Sequence, residues 1–225
     1  MKIKKIKYYL KGISNIICHT NFYIIPSIFF KKPILIKIKN NLSFYVTNLM
    51  DIWTLNEVLI DQEYFQYKSI KKNDVVVDIG ASIGDFSIYA EKKGAKRIIS
   101  YEMDKERIDL FNKNIKINRC KKIVIKNSKA CSLNEVFREN NLQQCDFLKM
   151  DCEGCEYELF SNASKQTLKK ISFIAMEAHQ FDDRMKKEYG KLIHLLKKNR
   201  FHIIEKENSV HSYISYLFAS KKRCC

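Results

Sequence analysis

From residue 75 onward the chain alternates short apolar runs with longer segments whose apolar positions recur every three or four residues. Val75 to Ile79 is apolar throughout, as befits a strand buried on both faces of a parallel sheet. After Gly84 the apolar positions Phe86, Ile88, Tyr89 and Ala90 follow a helical period. Continuing in this way, the pattern predicts strands at 75–79, 97–102, 122–127, 145–150, 171–178, 201–206 and 211–219. The helices between them fall at 84–93, 104–117, 133–140, 156–169 and 183–199. Ser132-Leu133-Asn134-Glu135 reads as a capping box opening the third of these helices. Five β–α units followed by two strands with no helix between them imply an α/β fold, a doubly wound, mostly parallel seven-stranded sheet. The last strand should insert antiparallel. A dinucleotide-binding dehydrogenase domain would instead continue as parallel units.

Upstream, residues 34–47 alternate apolar and polar positions and pivot on Asn40-Asn41, a β-hairpin signal. Residues 52–69 look helical and lead into the turn Lys71-Lys72-Asn73-Asp74. The expected organisation is therefore an N-terminal extension (1–70: basic segment, hairpin, helix), a main α/β domain (71–220) and a basic Cys tail (221–225).

The first β–α turn carries the candidate chemistry. Gly80 allows a sharp turn and leaves room for a ligand to approach the main chain. The free N–H groups at the helix start near Gly84 suit an anion. The next strand ends at Glu102, 24 positions after Asp78, where nucleotide-binding α/β folds place a carboxylate on ribose hydroxyls. This predicts a nucleoside-cofactor site. Ala81-Ser82-Ile83 separates the two glycines, so the loop does not match the G-x-G-x-x-G dinucleotide fingerprint.

Composition changes this picture little. The 225 residues are 46% hydrophobic and 29% charged, enough for a sizeable core. The net charge of +16 invites a nucleic-acid reading. However, Lys greatly outnumbers Arg, the residue whose fork reads bases, and the lysines are spread over almost every predicted helix. A solvated surface is the reading adopted. The segment Met1 to Lys11 is the exception: it alternates basic and apolar residues and is a candidate for peripheral contact with an anionic surface or membrane. No segment is long enough to span a bilayer; the best run, Phe22 to Phe30, contains Pro26. No secretory signal is read, and the expected location is cytoplasmic. The eight cysteines are accordingly read as free thiols. Cys152-Glu153-Gly154-Cys155 has C-x-x-C spacing without a second pair or histidines to complete a metal site. Lys221-Lys222-Arg223-Cys224-Cys225 is read as a disordered tail.

Two longer motifs point to a family. Asp146-Phe147-Leu148-Lys149-Met150-Asp151-Cys152-Glu153-Gly154-Cys155-Glu156-Tyr157-Glu158 resembles the "DxLKxDxEGxEYE" signature of FkbM-type methyltransferases. Asp78-Ile79-Gly80-Ala81-Ser82-Ile83-Gly84 is similar to that family's "DIGAxIG" loop. Asp51-Ile52-Trp53-Thr54-Leu55-Asn56-Glu57-Val58 through Glu63-Tyr64 resembles its lead-in, and Glu177-Ala178-His179 its "E-x-H". The resemblance spans roughly residues 34–206. It implies the class I, Rossmann-like methyltransferase fold and S-adenosylmethionine as cofactor. It also implies methyl transfer to a hydroxyl of a sugar, glycolipid or secondary metabolite. Cys152 and Cys155 depart from the family's pattern, and the connection between the third and fourth strands of the main domain is short.

By position, the main chain at Gly80, Ala81, Ser82 and Gly84 would cradle the methionine end of the cofactor. Asp78 would orient the loop or hold the amino group, and Glu102 would accept from both ribose hydroxyls. Asp151, at the carboxyl end of a central strand, would adjoin the transferred methyl. A hydroxyl acceptor must lose its proton as it attacks; the candidates for that are Asp151, Glu153, Glu177 and His179. Glu177 and His179 are two apart on a strand and face the same side. Glu153 is equally a helix-capping candidate. Asp151 and Glu177 could also hold a divalent cation, but no metal is assigned. An alternative acceptor is the ribose 2′-hydroxyl of RNA, met through the basic surface. A second alternative is a cofactor-binding protein without catalysis. Asn/Asp-Pro-Pro-aromatic and Pro-Cys motifs of base methyltransferases are absent: the two prolines are Pro26 and Pro33, far upstream.

Overall fold

The computed structural model describes residues 2–221 except Lys31, Asn40 and Ser209. The tail expected at 221–225 therefore lies outside the described residues beyond Lys221. The N-terminal region forms α1 (Lys2–His19), a 3-10 segment (Phe22–Phe30) and an antiparallel hairpin of β1 (Ile34–Ile38) and β2 (Leu42–Val46). Next come α2 (Leu49–Leu55), a π turn (Asn56–Ile60) and a short 3-10 turn (Glu63–Phe65). The main sheet comprises β3 (Val75–Ile79), β4 (Arg97–Glu102), β5 (Ile123–Asn127), β6 (Phe147–Met150), β7 (Phe173–His179), β8 (His202–Glu207) and β9 (Ile214–Ser220). Between them lie α3 (Asp85–Lys92), α4 (Lys105–Ile117), α5 (Leu133–Glu139), α6 (Glu156–Ser161), α7 (Lys165–Lys169) and α8 (Asp183–Lys198).

The strand order is β5-β4-β3-β6-β7-β9-β8, with the first five parallel. As the missing helix implied, β8 and β9 form an antiparallel pair, and β9 inserts antiparallel beside β7. The winding reverses between β3 and β6, so their carboxyl ends open a crevice at the sheet's switch point. Alternate residues serve two cores. Val76, Phe147, Phe173 and Phe218 face α3, the hairpin and the N-terminal turns. Val77, Leu148, Ile174 and Leu217 face the layer of α5, α6 and α8.

Three local expectations are corrected. The helix expected over 156–169 is two helices. Asn162 ends α6, and Ser164 starts α7 by accepting from Thr167 N at 3.0 Å. The helix expected over 52–69 breaks after α2, which begins earlier with an Asn48–Asp51 capping box. Its break is fixed by Asp61, which accepts from Asn56 Nδ2 at 2.9 Å, and by Gln62 in the left-handed region at φ 55°. Ser132 does cap α5 through Glu135 N at 3.2 Å, but Glu135 turns to Arg138, so the reciprocal half of the box is not made.

The hairpin is clipped to the main domain by two asparagines of α4. Asn114 accepts from Tyr45 N at 2.6 Å and donates to Tyr45 O and Ile83 O; Asn118 pairs with both main-chain groups of Ser43. These amides satisfy the outer edge of β2, which would otherwise invite pairing with another chain. Asn114 is fully buried and also anchors the loop after β3, tying the N-terminal region to the site.

Candidate active site

The loop between β3 and α3 is held by its neighbours. Gly80 sits at φ +78°, and a Cβ there would overlap the carbonyl oxygen of Asp151. The close approach that requires glycine is thus made by the adjoining strand's backbone, not by a ligand as the sequence suggested. Gly84, at φ +85°, leaves room for the Phe111 ring of α4. Gly80 N and Ala81 N both donate to Tyr101 O at 3.0 Å, and Ser82 N donates to Glu102 Oε2 at 2.8 Å. The other oxygen, Glu102 Oε1, accepts from Met103 N and Asp104 N at 2.9 Å each. Loop and carboxylate are therefore pre-positioned against each other.

Beneath the loop lies a buried ion cluster. Lys149, between Leu148 and Met150 on β6, donates to Gly80 O at 2.7 Å. It stands 3.3 Å from Asp78 Oδ1 and 4.0 Å from Asp151 Oδ2. Burial disfavours its charge, but Asp78, Asp151 and Asp85 outweigh that and raise its pKa. Asp78 is fully buried and accepts from Ser87 Oγ at 2.6 Å, so it lies under the loop and not on its surface. Burial raises the Asp78 pKa against the pull of Lys149, and pushes Asp85, at the start of α3, up to about 7.

Asp151, Glu177 and His179 converge: one ligand atom from each lies within 4.8 Å of the others. The adjacency of β6 and β7 brings this about. The spacing would admit a shared proton or a single divalent cation. Asp151 accepts from the buried Tyr64 hydroxyl at 3.0 Å. Glu177 lies opposite Tyr216 on β9. Burial pushes its carboxyl up to about 8, with the charges of Asp151 and Glu57 adding to the effect. His179 Nδ1 lies 2.9 Å from Glu156 Oε1, and Glu156 is fully buried. Burial opposes a charged ring, but the hydrogen bond and charge of Glu156 win and raise the His179 pKa. The Glu156 pairing leaves Nε2 as the ring nitrogen available to other partners.

Glu153 does not cap α6. The N-cap position is Cys155, without a side-chain cap, and Glu153 adopts φ 50° in the preceding turn. That turn, with Gly154 at φ 103°, brings Cys152 and Cys155 into a disulfide, which corrects the free-thiol expectation for this pair. Cys18, Cys120, Cys131 and Cys145 are free.

Two cavities meet at Met50. The larger, about 460 Å³, is lined by Gly80, Ser82, Glu102, Asp151, Glu153 and the Cys152–Cys155 pair, among others. Its size and its mixture of main-chain loop, carboxylate and apolar wall suit a nucleoside-bearing ligand. The smaller, about 350 Å³, is walled by Tyr8, Tyr9, Trp53 and Tyr216, with Glu57 and Glu177 as its carboxylates. Asp151 thus lines one cavity and Glu177 the other. Sequence reasoning missed Lys149, Tyr64, Glu156 and all four aromatic walls. A lone lysine within the apolar run Phe147-Leu148-Lys149-Met150 was a usable signal for a buried ion pair.

Comparison with known proteins accords with this arrangement. The methyltransferase FkbM domain family matches residues 121–203, and the ribosomal protein L11 methyltransferase (PrmA) family matches residues 57–144. Protein 158B of Sulfolobus islandicus rod-shaped virus 1, itself uncharacterized, is 31% identical over 134 residues, covering 57% of this chain and 78% of the viral protein. The ribosomal protein L11 methyltransferase of Aquifex aeolicus is 23% identical over 84% of this chain; the chain spans 66% of that enzyme's length. Among solved structures, a candidate methyltransferase of Streptococcus mutans in complex with S-adenosylhomocysteine (SAH) superposes with a TM-score of 0.54 at 10% identity. That likeness covers 67% of this chain and 90% of the other, and speaks to the fold. With the loop and the switch-point crevice, these matches identify the chain as an S-adenosylmethionine-dependent methyltransferase of the class I fold, with its likeness to the FkbM domain lying over residues 121–203.

Proposed function

We propose that the chain transfers the methyl group of S-adenosylmethionine to a hydroxyl of a sugar, glycolipid or secondary metabolite, with Glu177 as proton acceptor. One observation carries this reading: Asp151 faces the larger cavity, Glu177 faces the smaller, and their side chains close the gap between the two. When bound, the cofactor supplies an electrophilic methyl on a sulfonium centre. Gly80, Ala81, Ser82 and Gly84 would shape the seat of its methionine end, Glu102 would take the ribose hydroxyls, and Asp151 would border the methyl. Asp78 would act through Lys149, holding the loop from below. Glu177 would accept the hydroxyl proton as the acceptor oxygen attacks in line. Its raised pKa matches it to that work near neutrality. His179, fixed by Glu156, would tune Glu177. In this reading residues 71–220 carry the cofactor, and the 1–70 extension supplies acceptor walls.

The acceptor cavity favours a neutral polyol. Flat Tyr and Trp faces pack against the apolar side of a sugar ring, and carboxylates accept from its hydroxyls. The L11 methyltransferase match ends at residue 144, before Asp151 and Glu177, and starts after Tyr8, Tyr9 and Trp53. The likeness to the Aquifex aeolicus enzyme, by contrast, runs over 84% of this chain and takes in Trp53, Asp151 and Glu177 as well.

Trp53 is the only tryptophan, so its fluorescence reports this cavity. Titration with a panel of phenyl glycosides should give a saturable change with at least one of them. A response confined to lysine-bearing peptides or short RNA would replace the hydroxyl reading with one of those acceptors.

A further inference from the structure

The two faces of α1 have different uses. Its inner face is docked: Tyr8 donates to Glu57, Lys11 pairs with Asp61, and Asn15 Nδ2 donates to Asp61 at 3.1 Å. Gly12 lies so close to Trp53 that a Cβ would overlap the indole ring. The outer face carries Ile3, Ile6, Leu10, Ile13 and Ile17 at alternating spacings of three and four, a single stripe along the helix. These side chains are 47 to 71% exposed. Lys4 and Lys7 are exposed on the same helix, and the 3-10 segment that follows adds exposed Tyr23, Phe29 and Phe30. Residues 1–50 contain nine lysines and no Asp or Glu.

A contiguous apolar stripe of this kind calls for an occupant. We infer that it docks on an anionic lipid bilayer, with α1 lying in the plane of the headgroups. Charge complementarity selects this occupant. Two copies of an acid-free lysine helix would repel each other, whereas anionic headgroups match the lysines and the acyl boundary takes the isoleucines. The inner-face contacts hold α1 flat along the body, and among the described residues no helix is long and apolar enough to cross a membrane. Tyr8 and Tyr9 of the same helix line the smaller cavity, so docking sets that cavity beside the headgroups. This last consequence, an acceptor presented from the membrane surface, rests on the acceptor reading above; the docking does not.

The test is co-sedimentation of the full chain with phosphatidylcholine vesicles, with and without phosphatidylglycerol. The protein should pellet with the anionic vesicles and be released by salt. Lys4→Gln and Lys7→Gln should each weaken binding about fivefold. The triple variant Ile6→Asp, Leu10→Asp, Ile13→Asp should weaken it by roughly tenfold or more. Circular dichroism and calorimetric S-adenosylmethionine binding should match wild type in every variant, which separates loss of docking from misfolding. Absence of cofactor binding in the wild type would count against the cofactor site while leaving the vesicle result to be read by itself. No pelleting with either vesicle, or a triple variant that pellets like wild type, overturns the proposal. So does a dimer that the triple variant dissociates, without vesicle binding.

Discussion

Glu177→Gln is expected to lower kcat by roughly two to four orders of magnitude, the usual worth of a positioned general base. The amide keeps the shape of the side chain but cannot take a proton. Cofactor affinity should stay within about 0.5 kcal/mol of wild type, because Glu177 faces the acceptor cavity. The pH dependence follows from the sign of the shift. Burial and Asp151 raise the Glu177 pKa to about 8, so the competent carboxylate accumulates as pH rises and the rate should climb to a plateau above that value. A cationic His179 lowers the Glu177 pKa, and Glu156 is what favours that cation. Glu156→Gln should therefore move the rate profile to higher pH. Stopped assays over a pH series, with cofactor binding measured in parallel, check all three statements. Unchanged kcat in Glu177→Gln would remove it as the base.

The second large effect is expected at Gly80. Alanine there must adopt a left-handed conformation and push its Cβ into the Asp151 carbonyl. The strain alone is worth about 1–3 kcal/mol of stability. The only relief is to separate the two strand ends that form the crevice, so S-adenosylmethionine affinity should fall as well. Gly190→Ala is the control. A Cβ at Gly190 meets nothing within 4 Å, and the residue lies inside α8. That change should stabilise by about 0.4–1 kcal/mol. Denaturant unfolding and calorimetry on both variants measure the contrast; equal behaviour would mean that the loop is not constrained as described.

Much of the main sheet was legible because parallel strands buried on both faces leave continuous apolar runs, as at Val75 to Ile79. The antiparallel insertion of β9 was legible because no helix-length segment separates it from β8. Local breaks were not. Helical periodicity runs on through Asn162 and Ala163, and only the Ser164 cap marks the second start. In α1 the early alternation of lysine and isoleucine mimics a strand period, and the stripe that identifies the helix faces outward, away from the core. The π turn depends on Asp61 reaching back to Asn56, a tertiary detail. The Cys152–Cys155 bond depends on left-handed Glu153 and Gly154, which residue spacing does not reveal.

The candidate site divides along the same line. Asp151, Glu177 and His179 could be found because strand ends and period-two spacing locate them. Their convergence needed only the adjacency of β6 and β7. Glu156 and Lys149 sit inside the recognised motif, yet their partners emerge only in three dimensions. Tyr8, Tyr9, Trp53 and Tyr216 come from α1, α2 and β9, three elements far apart in the chain. No local pattern announces that they share a cavity.

The most direct test of the central claim is transfer of label from methyl-labelled S-adenosylmethionine into fractionated cell extract, run with wild type and with Glu177→Gln. Label entering a glycan, lipid or small-molecule fraction, and lost in the variant, is the predicted result. Label entering only protein or RNA would contradict it.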